Sequence, residues 1–157
     1  MIPIDVRRDR RRYPGTIDDK LSVFNRIHGD PTAQDTYANY FPFYVIDNND
    51  ATFWVSATAF PGNPWIQLGL GVPRTVAKLR FYQGYVNGLA TQFKIEVSND
   101  NGASWYLAHT TPAGLGIGEY ICYFPLLRYA AWRATALAGG AGFGWNVGSF
   151  ELFGAVI

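Results

Sequence analysis

An acidic, amide-rich turn holds the side chains most able to do chemistry in this sequence. Residues 47–50 read Asp-Asn-Asn-Asp, and Thr52 and Trp54 follow at once. Carboxylate, amide and hydroxyl oxygens are the hard ligands that Ca²⁺ prefers, and none of these groups is an obvious nucleophile. The turn therefore indicates a binding or structural site more than a catalytic one. The alternative is that Asp47 and Thr52 only cap the turn.

Residues suited to acid–base or nucleophilic catalysis are few. His28 and His109 are the two histidines, and no serine or cysteine motif accompanies either. Cys122, the single cysteine, lies in the apolar run YICYF, which is more typical of a small buried side chain than of a nucleophile. The HExxH, CxxC and GxSxG signatures are absent. The sequence therefore predicts a protein that is not an enzyme.

The 157 residues suffice for one domain with a substantial core. Aromatic residues make up 17% of the chain and charged residues 16%, whereas an average soluble domain has about 25% charged residues. Many aromatic and few charged side chains favour a β-rich protein, which either fills a sandwich core with them or covers part of its surface in an assembly.

Positive charge is concentrated at the start of the chain. The first twelve residues contain five arginines and two aspartates, a net charge of +3 (5 − 2), although the whole chain has only +1. Such a stretch suits docking to an acidic partner or remains a solvated leader, while nucleic-acid binding is less expected because the rest of the chain is mildly acidic. No secretory signal or membrane-spanning run is evident. The predicted assembly arm uses Arg7, Arg8, Arg10, Arg11 and Arg12.

Residues 1–30 are predicted to form a basic, irregular or partly helical arm, with a short helix over 17–27, and residues 31–157 a β domain. Within that domain, short runs of alternating polar and apolar residues lie between turn signals. Residues 138–148 are glycine-rich and read as a loop. The pattern predicts an all-β, two-layer jelly-roll sandwich. The predicted strands are 65–70, 75–82, 92–98, 104–109, 119–124, 126–137 and 149–154.

Five short motifs, in order, resemble the discoidin or coagulation factor 5/8 C-type domain, which overlaps the galactose-binding-like carbohydrate-binding modules. They span residues 37–154. Gly69 stands where that family usually has aspartate, and the cysteine pair of many animal members is missing. The motifs are the acidic turn with Thr52-Phe53-Trp54, then WIQLGLG at 65–71, SNDNGASW at 98–105, RYAAWR at 128–133 and ELFG at 151–154.

The resemblance implies a galactose-binding-like β-sandwich and, in its carbohydrate-binding branch, a structural Ca²⁺. Its ligands would map onto Asp47, Asn49 and Thr52 from the first turn and Glu151 from the last strand. These oxygens suit a calcium shell that joins the turn to the last strand. The alternative is that Glu151 pairs with an arginine such as Arg128.

The resemblance also implies ligand recognition by loops at one end of the sandwich, where aromatic faces stack on sugar rings and polar side chains bind hydroxyls. The same aromatic residues suit packing or a protein interface. The predicted ligand contacts are Tyr82, Gln83, Tyr85 and Asn87 after one strand, and Phe143, Trp145 and Asn146 in the glycine-rich loop.

These features together resemble a bacteriophage virion component, such as a tail, baseplate or head accessory protein. The predicted function is non-catalytic binding of a host-surface glycan, with the arm docking to other virion proteins and the chain present in several copies or as a homo-oligomer. The alternative is a pure assembly or decoration protein that uses the sandwich as an interaction platform. We expect synthesis in the host cytoplasm and no membrane insertion.

Overall fold

The computed structural model describes residues 24–155 of the chain. This part contains nine β-strands and two short 3₁₀ helices, Pro42–Ile46 and Val86–Gly88. Within it, no helix combines the length and apolar character needed to cross a membrane. The strands are β1 Phe24–Ile27, β2 Asp30–Ala33, β3 Trp54–Ala59, β4 Trp65–Gln83, β5 Ala90–Ser98, β6 Tyr106–Thr110, β7 Gly118–Gly139, β8 Gly144–Val147 and β9 Ser149–Ala155.

Two long strands, β4 and β7, organise the fold. They pair antiparallel along nearly their full lengths, with register shifts near residues 69–74 and 76–78. The first half of β4 also pairs with β2, and the second half with β9, which pairs in turn with β1. The other edge runs from β7 through β5 to β6, while β3 and β8 form a separate two-stranded sheet. All these pairings are antiparallel.

The register shifts divide β4 and β7 into halves that lie in opposite layers of the sandwich, and these layers face one another across the core. The ring of Phe81, from the second half of β4, lies 4.4 Å from the ring of Phe93 on β5 and 5.4 Å from that of Trp145 on β8. Trp54 on β3 meets Trp145 edge-on at 6.2 Å. Alternate residues of β4 and β5 point into this core, as the period-2 pattern predicts. The predicted all-β sandwich is confirmed.

Strands β1, β4, β7 and β8 differ from the sequence prediction. Strand β4 is continuous where the sequence predicted two separate strands, 65–70 and 75–82. Strand β7 is likewise continuous where it predicted 119–124 and 126–137. The glycine-rich loop contains β8, whose apolar side chains face the core. The predicted helix over residues 17–27 is wrong at its end, since Phe24–Ile27 is β1 and pairs with β9. Its first part, residues 17–23, lies outside the described residues.

The folded part of the chain therefore begins before residue 31. Both β1 and β2 use residues that the sequence assigned to the arm, and they pair with β9 and β4. The arginines of the predicted arm, Arg7, Arg8, Arg10, Arg11 and Arg12, lie outside the described residues.

Candidate functional site

A groove of about 430 Å³ lies beside the β3–β8 sheet, between the loop after β4 and the loop before β8. We call it the Tyr85 groove. Its walls are aromatic and amide side chains, and its floor is built from the small residues of β3 and the glycines before β8. It is lined by Tyr37, Val55, Ser56, Ala57, Ala59, Tyr85, Asn87, Gly142, Phe143, Gly144 and Asn146.

Two aromatic rings stand open to solvent in this groove. Tyr85 is 51% exposed and Phe143 is 48% exposed, and aromatic rings exposed together in one groove are typical of ligand or partner contacts. Asn87 is also exposed, and Asn146 lies nearly buried at the base. Four of the seven predicted ligand contacts are thus together in one groove.

Gln83 and Trp145 are not ligand contacts in this structure, because both are buried in the core. The Trp145 indole donates a hydrogen bond to the Gln83 side-chain oxygen at 2.6 Å. Gln83 also bonds both backbone groups of Ala90, at 2.9 and 3.1 Å. These bonds close the base of the loop formed by residues 84–89, so the two predicted contacts support the loop that presents Tyr85 and Asn87.

Glycines allow the backbone to approach the Asn146 side chain closely. A Cβ on Gly88 would lie 1.7 Å from the Asn146 amide nitrogen and 2.7 Å from the carbonyl oxygen of Gly144. A Cβ on Gly144 would lie 2.1 Å from the carbonyl oxygen of Ser56. Neither position can accept a side chain without displacing its neighbours, and the groove is therefore built by close packing of backbone.

The β3 wall of the groove is fixed by Asp35. Its carboxylate accepts hydrogen bonds from the backbone N–H of Ala57 at 2.8 Å and of Thr58 at 3.1 Å, and from the Thr58 hydroxyl. The backbone N–H of Tyr37 donates to the carbonyl of Val55 at 2.8 Å. The sequence analysis did not predict that Tyr37 and the β3 residues line the groove. The residue types at positions 35–37 carry no signal of contact with a strand about twenty residues later in the chain.

A second depression of about 290 Å³ adjoins the Tyr85 groove. Tyr85 and Asn146 line both spaces, so they stand at the boundary between them. Tyr82, another predicted contact, lies here and not in the Tyr85 groove. The second depression is lined by Asp50, Ala51, Phe53, Tyr82, Gly84, Tyr85, Asn146 and Gly148.

Charge is distributed unevenly between the two spaces. None of the described residues that line the Tyr85 groove is charged. In the second depression, the Asp50 carboxylate is held by the Arg80 guanidinium at 2.6 Å and by the Ser149 hydroxyl at 2.5 Å. The hydrogen bond from Arg80 is the main reason that the pKa of Asp50 is lowered. The carboxylate is therefore neutralised locally by its partners.

Three of the predicted calcium ligands are hydrogen-bonded to one another, and the fourth pairs with arginines. Asp47 accepts hydrogen bonds from the Thr52 hydroxyl at 2.5 Å and from the backbone N–H of Asn49 at 3.0 Å. Glu151 is nearly buried and pairs with Arg80 at 3.3 Å and Arg26 at 3.6 Å.

Two guanidinium groups thus neutralise the Glu151 carboxylate, and a Ca²⁺ ion would have to compete with them for it. The calcium site implied by the resemblance stays a prediction. The alternative that Glu151 pairs with an arginine is confirmed, although its partners are Arg26 and Arg80 and not Arg128. Within residues 24–155, no three or more histidine, cysteine, aspartate or glutamate residues are grouped to hold a metal ion.

The histidine and cysteine side chains that could act as general base or nucleophile have other surroundings. The His109 imidazole contacts the Tyr120 hydroxyl at 2.7 Å, and partial burial lowers the pKa of His109. Burial raises the pKa of the Cys122 thiol, which keeps it protonated and unreactive. In the described part of the chain no histidine is hydrogen-bonded to a serine or cysteine, so the structure offers no catalytic dyad there.

Comparison with known proteins identifies the domain. The F5/8 type C domain matches residues 30–117, while no curated protein sequence matches significantly. The chitosan-binding module 1 of a chitosanase/glucanase from Paenibacillus sp. IK-5 is 26% identical, with a TM-score of 0.71 over 82% of this chain and 96% of that one.

Two further structures share the fold at lower identity. A Clostridium perfringens CBM32 domain in complex with GalNAc-β-1,3-galactose has a TM-score of 0.71 at 18% identity, over 82% of this chain and 99% of that one. A family 32 carbohydrate-binding module from C. perfringens in complex with galactose has a TM-score of 0.69 at 17% identity, over 83% and 98%. Since the matched segment covers more than half of the sequence, this chain belongs to the F5/8 type C domain family.

Proposed function

We propose that this protein is a non-catalytic domain that binds an uncharged glycan in the Tyr85 groove. The observation that carries this proposal is the pairing of two exposed rings, Tyr85 and Phe143, with the amides of Asn87 and Asn146 in a groove without charged lining residues. Aromatic faces stack on the C–H faces of sugars, and amides donate to and accept from hydroxyls.

The known ligands of related structures support a carbohydrate ligand. The relatives include a chitosan-binding module and modules in complex with galactose and with GalNAc-β-1,3-galactose. The choice of an uncharged glycan comes from this chain, because the groove presents neither a carboxylate for an amino sugar nor a cation for a uronic acid. A charged sugar would leave its water shell without gaining a partner.

The neighbouring depression favours a ligand of more than one sugar unit. Tyr85 borders both spaces, which together offer two adjacent sites. The Tyr85 ring is braced by Phe53, whose ring centre lies 6.0 Å away, and Phe53 stacks on Tyr40 at 5.2 Å. A braced ring loses little side-chain entropy when it meets a ligand.

The test is a glycan array of neutral, cationic and anionic oligosaccharides with the full chain, followed by titration of the best neutral ligand. Tyr85→Ala and Phe143→Ala should each weaken binding about tenfold, which corresponds to about 1.4 kcal/mol of lost stacking. Tyr106→Ala is the matched control, since Tyr106 is 59% exposed on β6 and lies outside the groove.

Loss of binding in both groove variants, with normal binding by Tyr106→Ala, would support the proposal. Equal affinity in all four proteins, or selective capture of charged glycans alone, would refute it. Preserved thermal unfolding of each variant shows that the change is local.

A second candidate function is assembly, supported by a separate aromatic surface. Phe41 and Phe43 are 43% and 51% exposed, and their rings lie 6.2 Å apart. The ring of Tyr44 lies 4.4 Å from that of Phe43. We call these three residues the Phe43 patch. Exposed contiguous rings of this kind are typical of protein interfaces.

We further propose that the protein serves as a phage virion accessory, present in several copies, with the arginine-rich arm docking to other virion proteins. The composition of the arm and the Phe43 patch support this proposal. Replacing Phe41 and Phe43 together with serine should abolish self-association measured by light scattering. A wild-type chain that remains monomeric at high concentration, with or without candidate virion proteins, would argue against it.

A further inference from the structure

A second groove, of about 330 Å³, lies on the outer face of the large sheet and shares no residue with the Tyr85 groove or its neighbouring depression. We call it the Trp105 groove. Side chains of β2 and β4 form its base and one side, and the turn between β5 and β6 rises on the other. It is lined by Asp30, Thr32, Gln67, Gly69, Gly71, Asn101, Gly102, Trp105, Ala130 and Ala131.

Strand register explains why this face is hollow. Gly69 stands opposite Asp30 of β2 and opposite Ala131 of β7, and residues directly opposite share a face. The next row across the sheet places Thr32 beside Gln67, and Gln67 beside Arg133. The row through Gly69 and Ala131, which have little or no side chain, therefore lies beside the row that contains the long polar side chains of Gln67 and Arg133.

The Trp105 groove is open because Gly69 has no side chain, and not because the backbone conformation there requires glycine. A Cβ on Gly69 would meet only the carbonyl oxygen of Asp30, at the ordinary contact distance of 3.8 Å. Gly69 is the last residue of β4 paired with β7 before a register shift, and its own φ angle is not positive, so its backbone conformation does not require glycine. Packing would accept a larger residue there, although glycine weakens a strand interior. The missing side chain is what keeps the groove open.

The wall of the groove is held rigid by a cation between two indole rings. The Arg133 guanidinium lies 4.1 Å from the centre of the Trp65 ring and 3.9 Å from that of the Trp105 ring. It also donates to the Gln67 oxygen at 3.0 and 3.2 Å. The Trp105 indole N–H donates to the Gly102 carbonyl at 3.0 Å. Both Trp105 and Gln67 are thereby fixed before any ligand arrives.

The remaining polar groups of the groove are free. Because Gln67 uses its oxygen on Arg133, its amide N–H₂ is left to donate. The Thr32 hydroxyl, the Asn101 amide and the Asp30 carboxylate have no hydrogen-bond or ion-pair partner among the described residues. The groove thus offers both donors and acceptors, with the Trp105 side chain among them.

We infer that the Trp105 groove is a second saccharide-binding site, which takes a single pyranose unit without an anionic group. Each sugar hydroxyl both donates and accepts, so vicinal hydroxyls match the Asp30 carboxylate on one side and the Gln67 amide on the other. Trp105 covers an apolar C–H face. The free carboxylate of Asp30 disfavours an anionic sugar, because two negative charges would lie close together.

The inference does not depend on glycan binding in the Tyr85 groove, and the experiment separates the two. The full ¹⁵N-labelled chain is titrated with the methyl glycosides of galactose, glucose and mannose up to about 50 mM, a range that detects dissociation constants near 10 mM. The readouts are the Trp105 indole N–H and the Gly69 backbone N–H resonances. Methyl glucuronide is the charged comparison ligand.

At least one neutral glycoside should shift both resonances in a saturable manner. Gly69→Val, which fills the floor, should weaken this effect at least tenfold, and Asp30→Ala should weaken it severalfold. Gly116→Val is the matched control, because a Cβ on Gly116 meets no atom within 4 Å and Gly116 lies outside the groove. Phe143→Ala should leave the shifts unchanged.

Four results would overturn the inference: no shift with any of the three neutral glycosides, shifts that persist in Gly69→Val, shifts that vanish in Phe143→Ala, or stronger shifts with methyl glucuronide. The third result would mean that the change is relayed from the Tyr85 groove. If Phe143→Ala and Tyr85→Ala both kept wild-type glycan affinity, that result would refute the proposed function of the Tyr85 groove and leave the inference about the Trp105 groove untouched.

Discussion

At the level of single side chains, the buried Trp145 and Trp132 differ in whether the indole N–H has a hydrogen-bond partner. The Trp145 indole N–H donates to Gln83 at 2.6 Å, whereas the Trp132 indole N–H is buried without a hydrogen-bond partner. A buried donor without a partner costs desolvation free energy that a paired donor recovers. The two positions therefore provide a matched pair for measuring what the Gln83 contact contributes.

Trp145→Phe should lower the free energy of unfolding by about 1 kcal/mol more than Trp132→Phe, because only the first substitution removes a hydrogen bond, one of the two that the buried Gln83 oxygen accepts. Both remove a similar volume from the core, so the cavity terms largely cancel. Urea unfolding followed by circular dichroism measures the difference. Equal losses would show that the Trp145–Gln83 hydrogen bond contributes nothing net to stability.

Gly88 controls the orientation of the Asn146 amide. Gly88→Ala should turn the Asn146 side chain out of its position, since the added Cβ would lie 1.7 Å from the amide nitrogen. We expect weaker glycan binding in the Tyr85 groove and a changed side-chain amide resonance of Asn146. Gly140→Ala is the control in the nearby loop, where the nearest atom would be 3.7 Å away. An unshifted Asn146 resonance in Gly88→Ala would contradict this prediction.

At the level of strands, Arg80 connects β4 to three neighbours. Its guanidinium contacts Asp50 before β3, Glu119 on β7 and Glu151 on β9. These carboxylates raise the pKa of Arg80, with the Asp50 hydrogen bond the largest cause. The cluster joins the first turn to the last strand by ion pairs, the two elements that the predicted Ca²⁺ would also join.

The cluster gives stability a specific dependence on pH. Because the folded pKa of Asp50 is lowered below its ordinary value of 3.8, its contribution is present above that value and is lost as pH falls through the folded pKa. The wild type should therefore exceed Asp50→Asn in Tm near pH 7, and the gap should narrow progressively as pH falls below 3.8. Differential scanning calorimetry across this range is the measurement. A constant gap would mean that Asp50 stabilises through its shape alone.

Alternation of polar and apolar residues predicted the strands that have one exposed face, such as β5, because burial follows a period of two there. It missed β2, since Asp30 and Pro31 are poor strand residues whose pairing with β4 is settled by tertiary contacts. The same limit applies to the site. A loop tryptophan and a loop phenylalanine look alike in sequence, yet the hydrogen bond to Gln83 holds Trp145 inside while Phe143 stays exposed.

At the level of the whole domain, the chain ends of the fold are joined by guanidinium groups. Arg26 on β1 donates to the carbonyl of Ile46 in the first 3₁₀ helix at 2.7 Å and pairs with Glu151 on β9 at 3.6 Å. Arg80 reaches the same carboxylate from the opposite strand. A bound cation would compete with two resident positive charges for one carboxylate, which disfavours metal binding at this position.

The Tm of the full chain should therefore be the same, within about 1 °C, in millimolar CaCl₂ and in EDTA. A structural Ca²⁺ present at a hundred times its dissociation constant would add about 2.7 kcal/mol to the free energy of unfolding and raise Tm by about 5–10 °C in a protein of this size. Arg26→Met should lower Tm equally in both buffers, because the Ile46 carbonyl and the Glu151 carboxylate each lose a donor. If Ca²⁺ instead raised Tm by several degrees, or rescued Arg26→Met, the arginines would be acting beside a metal site and not in its place.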